Sequence, residues 1–279
     1  MYSQIKKIFK SKIHDNIQTL DKGNYYYFYQ DHTCKKLFAI KNDISASEYS
    51  LLKMLFVEKK QYAQNSKEQK VYEYLFENKE YPFNEEQSFI AFSAYDSDVQ
   101  TISRVISDIY GECTFIEYLN YTLVFCKKFD NIINMFQAFT MDFGYELIVH
   151  EGFKINKKTE GKDLLVYLNF FATNFNKKTY SKFSDVIIKA NNYNPEVIKI
   201  IKANVMQKIY QQHAMIELIN TFFNNNLNVS LTSKLLYMHR NSLINKLEQI
   251  EKITSLDIQK FADAYAMKIL IDYGDDSAL

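Results

Sequence analysis

The chain contains few of the residues that build covalent or metal-centred sites. It has no Trp and three Cys (Cys34, Cys113 and Cys126), whose spacing is unlike that of a metal site and whose odd number argues against a full disulfide framework. The five His form no H-x-x-x-H or H-E-x-x-H pattern, so we expect no metal site. No P-loop, G-x-G-x-x-G or G-x-S-x-G sequence is present, and we therefore expect no cofactor.

Long apolar runs are missing as well. No run approaches 18 apolar residues, and the N-terminal MYSQIKKIFKSKIH lacks the apolar core of a signal peptide. These absences predict a cytoplasmic protein with no membrane partner. The 279 residues, 47% hydrophobic and 24% charged, are ordinary for a soluble globular chain of two or three domains. The net charge of +1 does not exclude DNA binding, because local charge acts over about 10 Å.

Residues 1–84 have a mixed pattern. Aromatic and apolar runs at 24–31 and 36–43, separated by a polar stretch, predict a β-hairpin. Ser45 and Glu48 form a predicted capping box ahead of a helix, and Ser66 opens another helical pattern. Tyr81-Pro82-Phe83 then interrupts the pattern. We predict an N-terminal α/β domain, residues 1–84, with a sensory or dimerisation role.

Residues 85–178 alternate between strand and helix patterns. The order is a strand at 87–95, a helix at 99–111, a hairpin turning at Leu119-Asn120, a helix at 129–144 and a strand at 145–153. This order predicts a largely antiparallel sheet with helices on one face. The hairpin tip reads EYLNYT, with Glu117 as its one carboxylate and no Gly-Gly. We expect no catalysis there, and ligand sensing or dimerisation stays open.

Residues 179–279 are predicted to be helical. Pro195 can start a helix at its first position, and residues 261–274 should form a closing helix. Further along, Ser230 is the predicted N-cap of a short helix whose apolar side carries Leu231, Leu235 and Leu236. The chain breaks at His239, a residue that could contact a phosphate or cap the next helix.

The helix after His239 is predicted to have one buried and one polar face. Its buried stripe is Leu243, Leu247, Ile250 and Ile253. Helix, turn and a second helix with polar residues in its first turns is the helix-turn-helix arrangement, whose second helix enters the major groove. The candidate DNA-binding residues are Ser230, Thr232, His239, Arg240, Asn241, Ser242, Asn245, Lys246 and Gln249.

This stretch resembles the C-terminal domain of the PucR-type regulators (purine-catabolism and sugar-diacid regulators). Their T-A-x-x-L-x-x-H-R-N-T-L-x-x-R-L run is matched over Thr232–Leu247, around the core His239-Arg240-Asn241-Ser242-Leu243, and the resemblance extends over residues 215–271. Lys246 replaces an Arg and suits a phosphate better than a guanine. Ser255 replaces a Gly, which predicts a turn that is not left-handed. Residues 85–178 are more weakly similar to the degenerate GGDEF nucleotide-cyclase fold of that family.

The resemblance implies an α+β multidomain protein: mixed α/β N-terminal and GGDEF-like middle domains, followed by an all-α helix-turn-helix domain. It implies a bacterial transcription regulator, not an enzyme, that binds double-stranded operator DNA, controls metabolic genes and responds to a small-molecule effector. Residues 228–254 contain four basic and two acidic side chains, a local charge of only +2. One such module would bind DNA weakly, which favours a homodimer with two modules. The alternative is a protein-interaction adaptor that has lost DNA contact.

Overall fold

The chain divides into two compact units. The computed structural model describes residues 5, 8–14, 25–30, 35–58, 66–94, 96–144 and 147–274. One unit comprises residues 1–69 with 117–121, and the other comprises residues 70–116 with 122–279. Within the described ranges, no helix is both long enough and apolar enough to span a bilayer.

The first unit is a small sheet with one helix. Strands β1 (Ile13–His14), β2 (Tyr25–Gln30), β3 (Lys35–Ile40) and β4 (Val57–Glu58) lie in the order β1-β3-β2-β4, with every pair antiparallel. The β2–β3 pairing confirms the predicted hairpin. Helix α1 (Ala46–Leu55) starts at the capping box predicted from Ser45 and Glu48.

The second unit contains a five-stranded sheet. Its elements in chain order are α2 (Lys67–Phe76, which begins in the first unit), β5 (Ser88–Ser93), α3 (Asp96–Tyr110), β6 (Thr114–Tyr118), β7 (Tyr121–Cys126), α4 (Ile132–Phe143), β8 (Ile148–Glu151), α5 (Gly161–Asn174) and β9 (Tyr180–Lys182). The strands lie in the order β6-β7-β5-β8-β9. From β5 to β8 the observed succession strand–helix–hairpin–helix–strand is the predicted one, and it forms a split βαβ arrangement.

One face of this sheet is covered by α3 and α4. Ile102 and Ile106 of α3 and Phe136 of α4 pack in one buried cluster with Ile90 and Phe92 of β5. The antiparallel β5–β7 and β5–β8 pairs place alternate side chains of each strand on this face. This is the helical layer expected from the sequence.

The opposite face is also covered, so the predicted one-sided sheet is wrong. Tyr167 and Phe171 of α5 pack against Phe89 of β5 and His150 of β8, with ring centroids 6.0 Å apart for Phe89–Tyr167 and 4.2 Å apart for His150–Phe171. The physical reason lies in β5 and β7. The central residues of these strands are apolar on both faces of the sheet. Exposing either face to water would therefore cost free energy, and a helix covers each one.

The chain ends in a helical region. Its helices are α6 (Phe183–Tyr193), α7 (Pro195–Val205), α8 (Gln207–Tyr210), α9 (His213–Asn224), α10 (Val229–Leu235), α11 (Arg240–Thr254) and α12 (Phe261–Asp272). Pro195 is the first residue of α7, as predicted, behind an Asn194 side chain that accepts the Val197 N–H. Helix α12 packs mainly on α6 and buries Met267 and Leu270, which confirms the predicted closing helix.

Candidate nucleic-acid interface

Helix α10 starts two residues earlier than predicted. Its N-cap is Asn228, whose Oδ1 accepts the Leu231 N–H at 3.0 Å, whereas Ser230 lies inside the helix and is exposed. The expectation that Ser230 is the N-cap is therefore wrong. Asn and Ser are about equally good caps, and Asn228 already has extended dihedral angles (φ −86°, ψ 101°).

The inner face of α10 also differs from the prediction. Leu231 and Leu235 are 45% and 52% exposed, while Thr232 and Ser233 are buried. Small side chains at the inner positions let α10 lie close to its neighbours, since short residues allow helix axes to approach. The Ser233 hydroxyl donates to the Ser230 carbonyl at 3.0 Å.

Thr232, a predicted DNA-binding residue, is therefore not on the surface. Its side chain is 0% exposed, and its Oγ1 has no hydrogen-bond partner among the residues that the structure describes. A side chain enclosed in this way packs between helices and does not reach a duplex.

A tight turn connects α10 to α11. Tyr237 has left-handed backbone angles (φ 50°), its N–H donates to the Lys234 carbonyl at 3.2 Å, and the Met238 N–H donates to the Ser233 carbonyl at 2.9 Å. These two bonds form a Schellman motif, which ends a helix with one left-handed residue. The motif reverses the chain within three residues and sets the entry into α11.

His239 is the N-cap of α11. Its Nδ1 accepts the Asn241 N–H at 3.2 Å, so the capping role is realised, and the ring is exposed at the start of the helix. Because Nδ1 accepts, the neutral ring carries its proton on Nε2. The positive end of the helix dipole and the free N–H groups of the first turn lie beside it, an arrangement that attracts anions.

Helix α11 separates an apolar face from a polar face. Leu243, Leu247 and Ile250 are almost completely buried, as predicted from their spacing, and Ile253 is half-buried. The predicted polar residues of the helix are all exposed: Arg240, Asn241, Ser242, Asn245, Lys246 and Gln249. Neither Arg240 nor Lys246 pairs with a carboxylate within the part of the chain that the structure describes. The structure thus brings these side chains together on one outward surface, which we call the α11 polar face.

Residues 215–271, from α9 to α12, match the family model of the PucR C-terminal helix-turn-helix domain. The chain carries a PucR-type helix-turn-helix domain. This finding confirms the resemblance drawn from the His239–Leu243 core.

One bacterial protein is among the solved structures that match the chain. It is described as a regulator of polyketide synthase expression from Bifidobacterium adolescentis, and it is 14% identical, with a TM-score of 0.39, over 78% of this chain and 96% of that one. No curated protein sequence matches the chain.

The C-terminal end of α11 in the PucR-type domain contacts the sheet region. Ser255 has left-handed angles (φ 61°), so the prediction of a turn that is not left-handed is wrong. Its Oγ accepts the Lys154 backbone N–H at 3.2 Å, and the Lys154 Nζ donates to the Lys252 carbonyl at 2.8 Å. The Ser255 hydroxyl thus has a hydrogen-bond partner in the left-handed geometry. Burial lowers the pKa of the Lys154 side chain. These two bonds tie the C-terminal end of α11 to the segment that follows β8.

Sequence reasoning missed Lys154, since no local pattern indicates that it meets a helix about 100 residues later.

In the described ranges, no group of three or more His, Cys, Asp or Glu side chains is placed to hold a metal ion.

Proposed function

We propose that this protein is a cytoplasmic bacterial transcription regulator of PucR type that binds operator DNA and controls metabolic genes. The observation that carries the proposal is the α11 polar face. Its side chains are exposed and point away from the buried Leu243, Leu247 and Ile250. Such a helix, following a tight turn, can place polar groups against base edges in a major groove.

The residues of this face divide into two proposed roles. Arg240 and Lys246 contact phosphates, because a charge at the start of the helix meets the duplex backbone. Asn241 and Asn245 read base edges, since an amide can bind adenine with two hydrogen bonds. Ser242, Gln249, His239 and Ser230 are proposed as further polar contacts. Thr232 is left out because its side chain is buried.

A homodimer is the proposed DNA-binding form. One module with a local charge of +2 neutralises few phosphates, so its own affinity is expected to be low. Two modules related by a two-fold axis would bind half-sites about 34 Å apart. Analytical ultracentrifugation of the free chain tests this point.

We further propose the domain division drawn from the sequence: residues 1–84, a degenerate GGDEF-like domain at 85–178, and 179–279. The strand order β6-β7-β5-β8 with α3 and α4 on one face supports the middle assignment. The proposed role of these upstream domains is sensing and dimerisation rather than catalysis, so we propose that the protein is not an enzyme.

A cleft next to α11 is the proposed place for a small-molecule effector. It has a volume of about 440 Å³, within the range of ligand pockets. Glu151 and Lys182 line it from the sheet, and Glu248 and Glu251 line it from α11. A polar ligand there would contact both the sensor region and the recognition helix. Polar metabolites that raise the melting temperature of the wild type but not of Glu251→Gln would support this site.

Two substitutions test the division of roles on the α11 polar face. Asn245→Ala is expected to change the preference at one base pair, at a cost of about 1–3 kcal/mol. Lys246→Ala is expected to weaken binding to all sequences alike and to reduce the salt slope by about one. Fluorescence anisotropy across a salt titration measures both, with duplexes selected on the wild type from a random pool.

The matched controls are Asn192→Ala and Lys199→Ala, exposed residues outside the PucR-type domain. Both are expected to bind like the wild type. Identical behaviour of Asn245→Ala and Lys246→Ala would contradict the division of roles.

The exposed Leu231 and Leu235 favour one second candidate, the protein-interaction adaptor. Apolar side chains on a short helix suit a protein partner. Negligible DNA affinity even at low salt would favour the adaptor over the regulator.

A further inference from the structure

Two successive helices of the PucR-type domain end with the same capping geometry but with different residues. Helix α9 ends with Asn226 in the left-handed region (φ 51°), where the Leu227 N–H donates to the Phe222 carbonyl at 3.0 Å. Helix α10 ends with Tyr237 in the same region (φ 50°). Asn tolerates this conformation and Gly adopts it freely, whereas a Tyr side chain crowds its own backbone. Leu227, the next residue of the first turn, is also left-handed (φ 58°) but partly buried, so of the two bulky left-handed residues Tyr237 is the fully exposed one.

The two backbone hydrogen bonds of the turn would form with Gly at this position as well, so they do not require the Tyr237 side chain. Its side chain is 98% exposed, the largest exposed fraction among the large hydrophobic side chains that the structure describes. Its hydroxyl makes no hydrogen bond and its ring makes no ring contact with a described residue. A strained residue whose side chain has no bonding partner among the described residues points to a function outside the chain.

The position of Tyr237 indicates which partner gains from it. Tyr237 lies two residues before the N-cap His239 and three before Arg240. It is therefore close to the N-terminal end of α11, where the helix dipole and the free N–H groups attract anions. A tyrosine hydroxyl is one of the side-chain donors that bind phosphate oxygens in protein–DNA interfaces. The turn therefore holds a neutral phosphate donor next to the α11 polar face.

We propose that Tyr237 binds DNA, donating a hydrogen bond from its hydroxyl to a backbone phosphate beside the groove that α11 enters. The contact rests on the proposed DNA-binding function and adds to it a residue outside the recognition helix. Because the contact is to phosphate, it strengthens binding to every sequence and carries no base preference. Because tyrosine is neutral, it contributes affinity without adding to the salt slope.

Two substitutions separate the contact from the strain. Tyr237→Phe keeps the ring and the left-handed strain and removes only the hydroxyl. Tyr237→Gly removes the ring and the strain together. We expect Tyr237→Phe to bind about tenfold more weakly than the wild type, the effect of losing a hydrogen bond to a charged group. We expect Tyr237→Gly to bind at least as weakly while its urea midpoint rises.

The probes are labelled duplexes of about 30 base pairs, long enough for two half-sites. One is selected on the wild type from a random pool, and the other has random sequence. Both are titrated with the full-length chain by fluorescence anisotropy at several salt concentrations. The control Tyr193→Phe removes the hydroxyl of a tyrosine that is 74% exposed at the end of α6, and it is expected to bind like the wild type.

Each other outcome overturns the contact. Tyr237→Phe that binds both duplexes as tightly as the wild type shows that the hydroxyl meets no phosphate. If Tyr237→Phe sediments as free protein with a different mass from the wild type but binds DNA equally well, Tyr237 contacts a second copy of the protein instead of DNA. If the wild type binds neither duplex, the proposed function fails together with this contact. If the wild type binds and Tyr237→Phe binds equally well, only the contact fails.

Discussion

His150 and His239 belong to two regions of the same compact unit and have opposite surroundings. His150 lies on β8 and is fully buried, with its Nδ1 3.0 Å from the Ser181 Oγ and its Nε2 2.6 Å from the Tyr167 hydroxyl. His239 is exposed at the start of α11 and makes one hydrogen bond, to the Asn241 N–H.

The difference shows how this chain separates a buried scaffold from the exposed α11 polar face, the proposed binding surface. In the sheet region both ring nitrogens of the buried His150 have partners inside the chain, because an unpartnered buried polar group would cost free energy. In the PucR-type domain the polar groups of α11 stay in water and keep their hydrogen-bonding capacity. A substitution should therefore change folding in the first region and binding in the second.

The largest expected effect is at His150. His150→Ala leaves a cavity beside Phe171 and removes the partners of Ser181 and Tyr167, so we expect the free energy of unfolding to fall by about 3–5 kcal/mol. The matched substitution His239→Ala loses only an exposed cap and should cost about 1 kcal/mol or less. Urea unfolding measures both, and equal losses would break the comparison.

The next effect is a pH dependence. Burial lowers the pKa of His150 to about 3, below its ordinary value of 6.5. Its neutral form is therefore the folded form, and its contribution to stability is present above pH 6.5 and lost as the pH falls toward 3. The loss is about 1.4 kcal/mol per pH unit.

We expect the stability difference between the wild type and His150→Gln to shrink by about 2 kcal/mol between pH 7 and pH 5. Urea midpoints at several pH values measure this difference. A difference that stays constant over this range would show that water reaches His150.

A smaller effect is expected at the start of α10. Asn228→Ala removes the oxygen that accepts the Leu231 N–H, so the free energy of unfolding should fall by about 1 kcal/mol. Ser230→Ala, two residues later, is the control and should cost less than about 0.5 kcal/mol because Ser230 is exposed inside the helix. The opposite ranking in thermal or urea unfolding would restore Ser230 as the cap.

The smallest effect has the opposite sign. Tyr237→Gly relieves left-handed strain of about 1–2 kcal/mol and gives back part of it through the greater freedom of the unfolded chain. We expect a net gain of about 0.5 kcal/mol in urea unfolding. Asn226→Gly at the equivalent position after α9 should gain less, and a loss at Tyr237 would mean that its ring packs on the chain in solution.

Local patterns were enough for several elements of the site. The spacing of Leu243, Leu247 and Ile250 predicted the buried face of α11, and the polar residues between them are exposed as expected. The capping box at Ser45 and the helix start at Pro195 were also predicted, because both depend on residues within one helical turn.

The errors occur where the answer depends on distant residues. The sequence alone could not choose between Asn228 and Ser230 as N-cap, or show that Thr232 rather than Leu231 turns inward. Both depend on how α10 is rotated against its neighbours. The left-handed Ser255 accepts the Lys154 backbone N–H with its hydroxyl, a bond between residues 101 positions apart.

The sequence by itself determined that the second helix after the turn has one apolar and one polar face, because a period of 3.6 residues sorts side chains without any other part of the chain. Only the tertiary structure decided that α5 covers the second face of the sheet, and that Lys154 holds the end of α11. It also showed that the exposed side chain of Tyr237 makes no hydrogen bond or ring contact with the described residues. Those facts depend on packing between elements far apart in the chain, and packing of that kind leaves no local pattern.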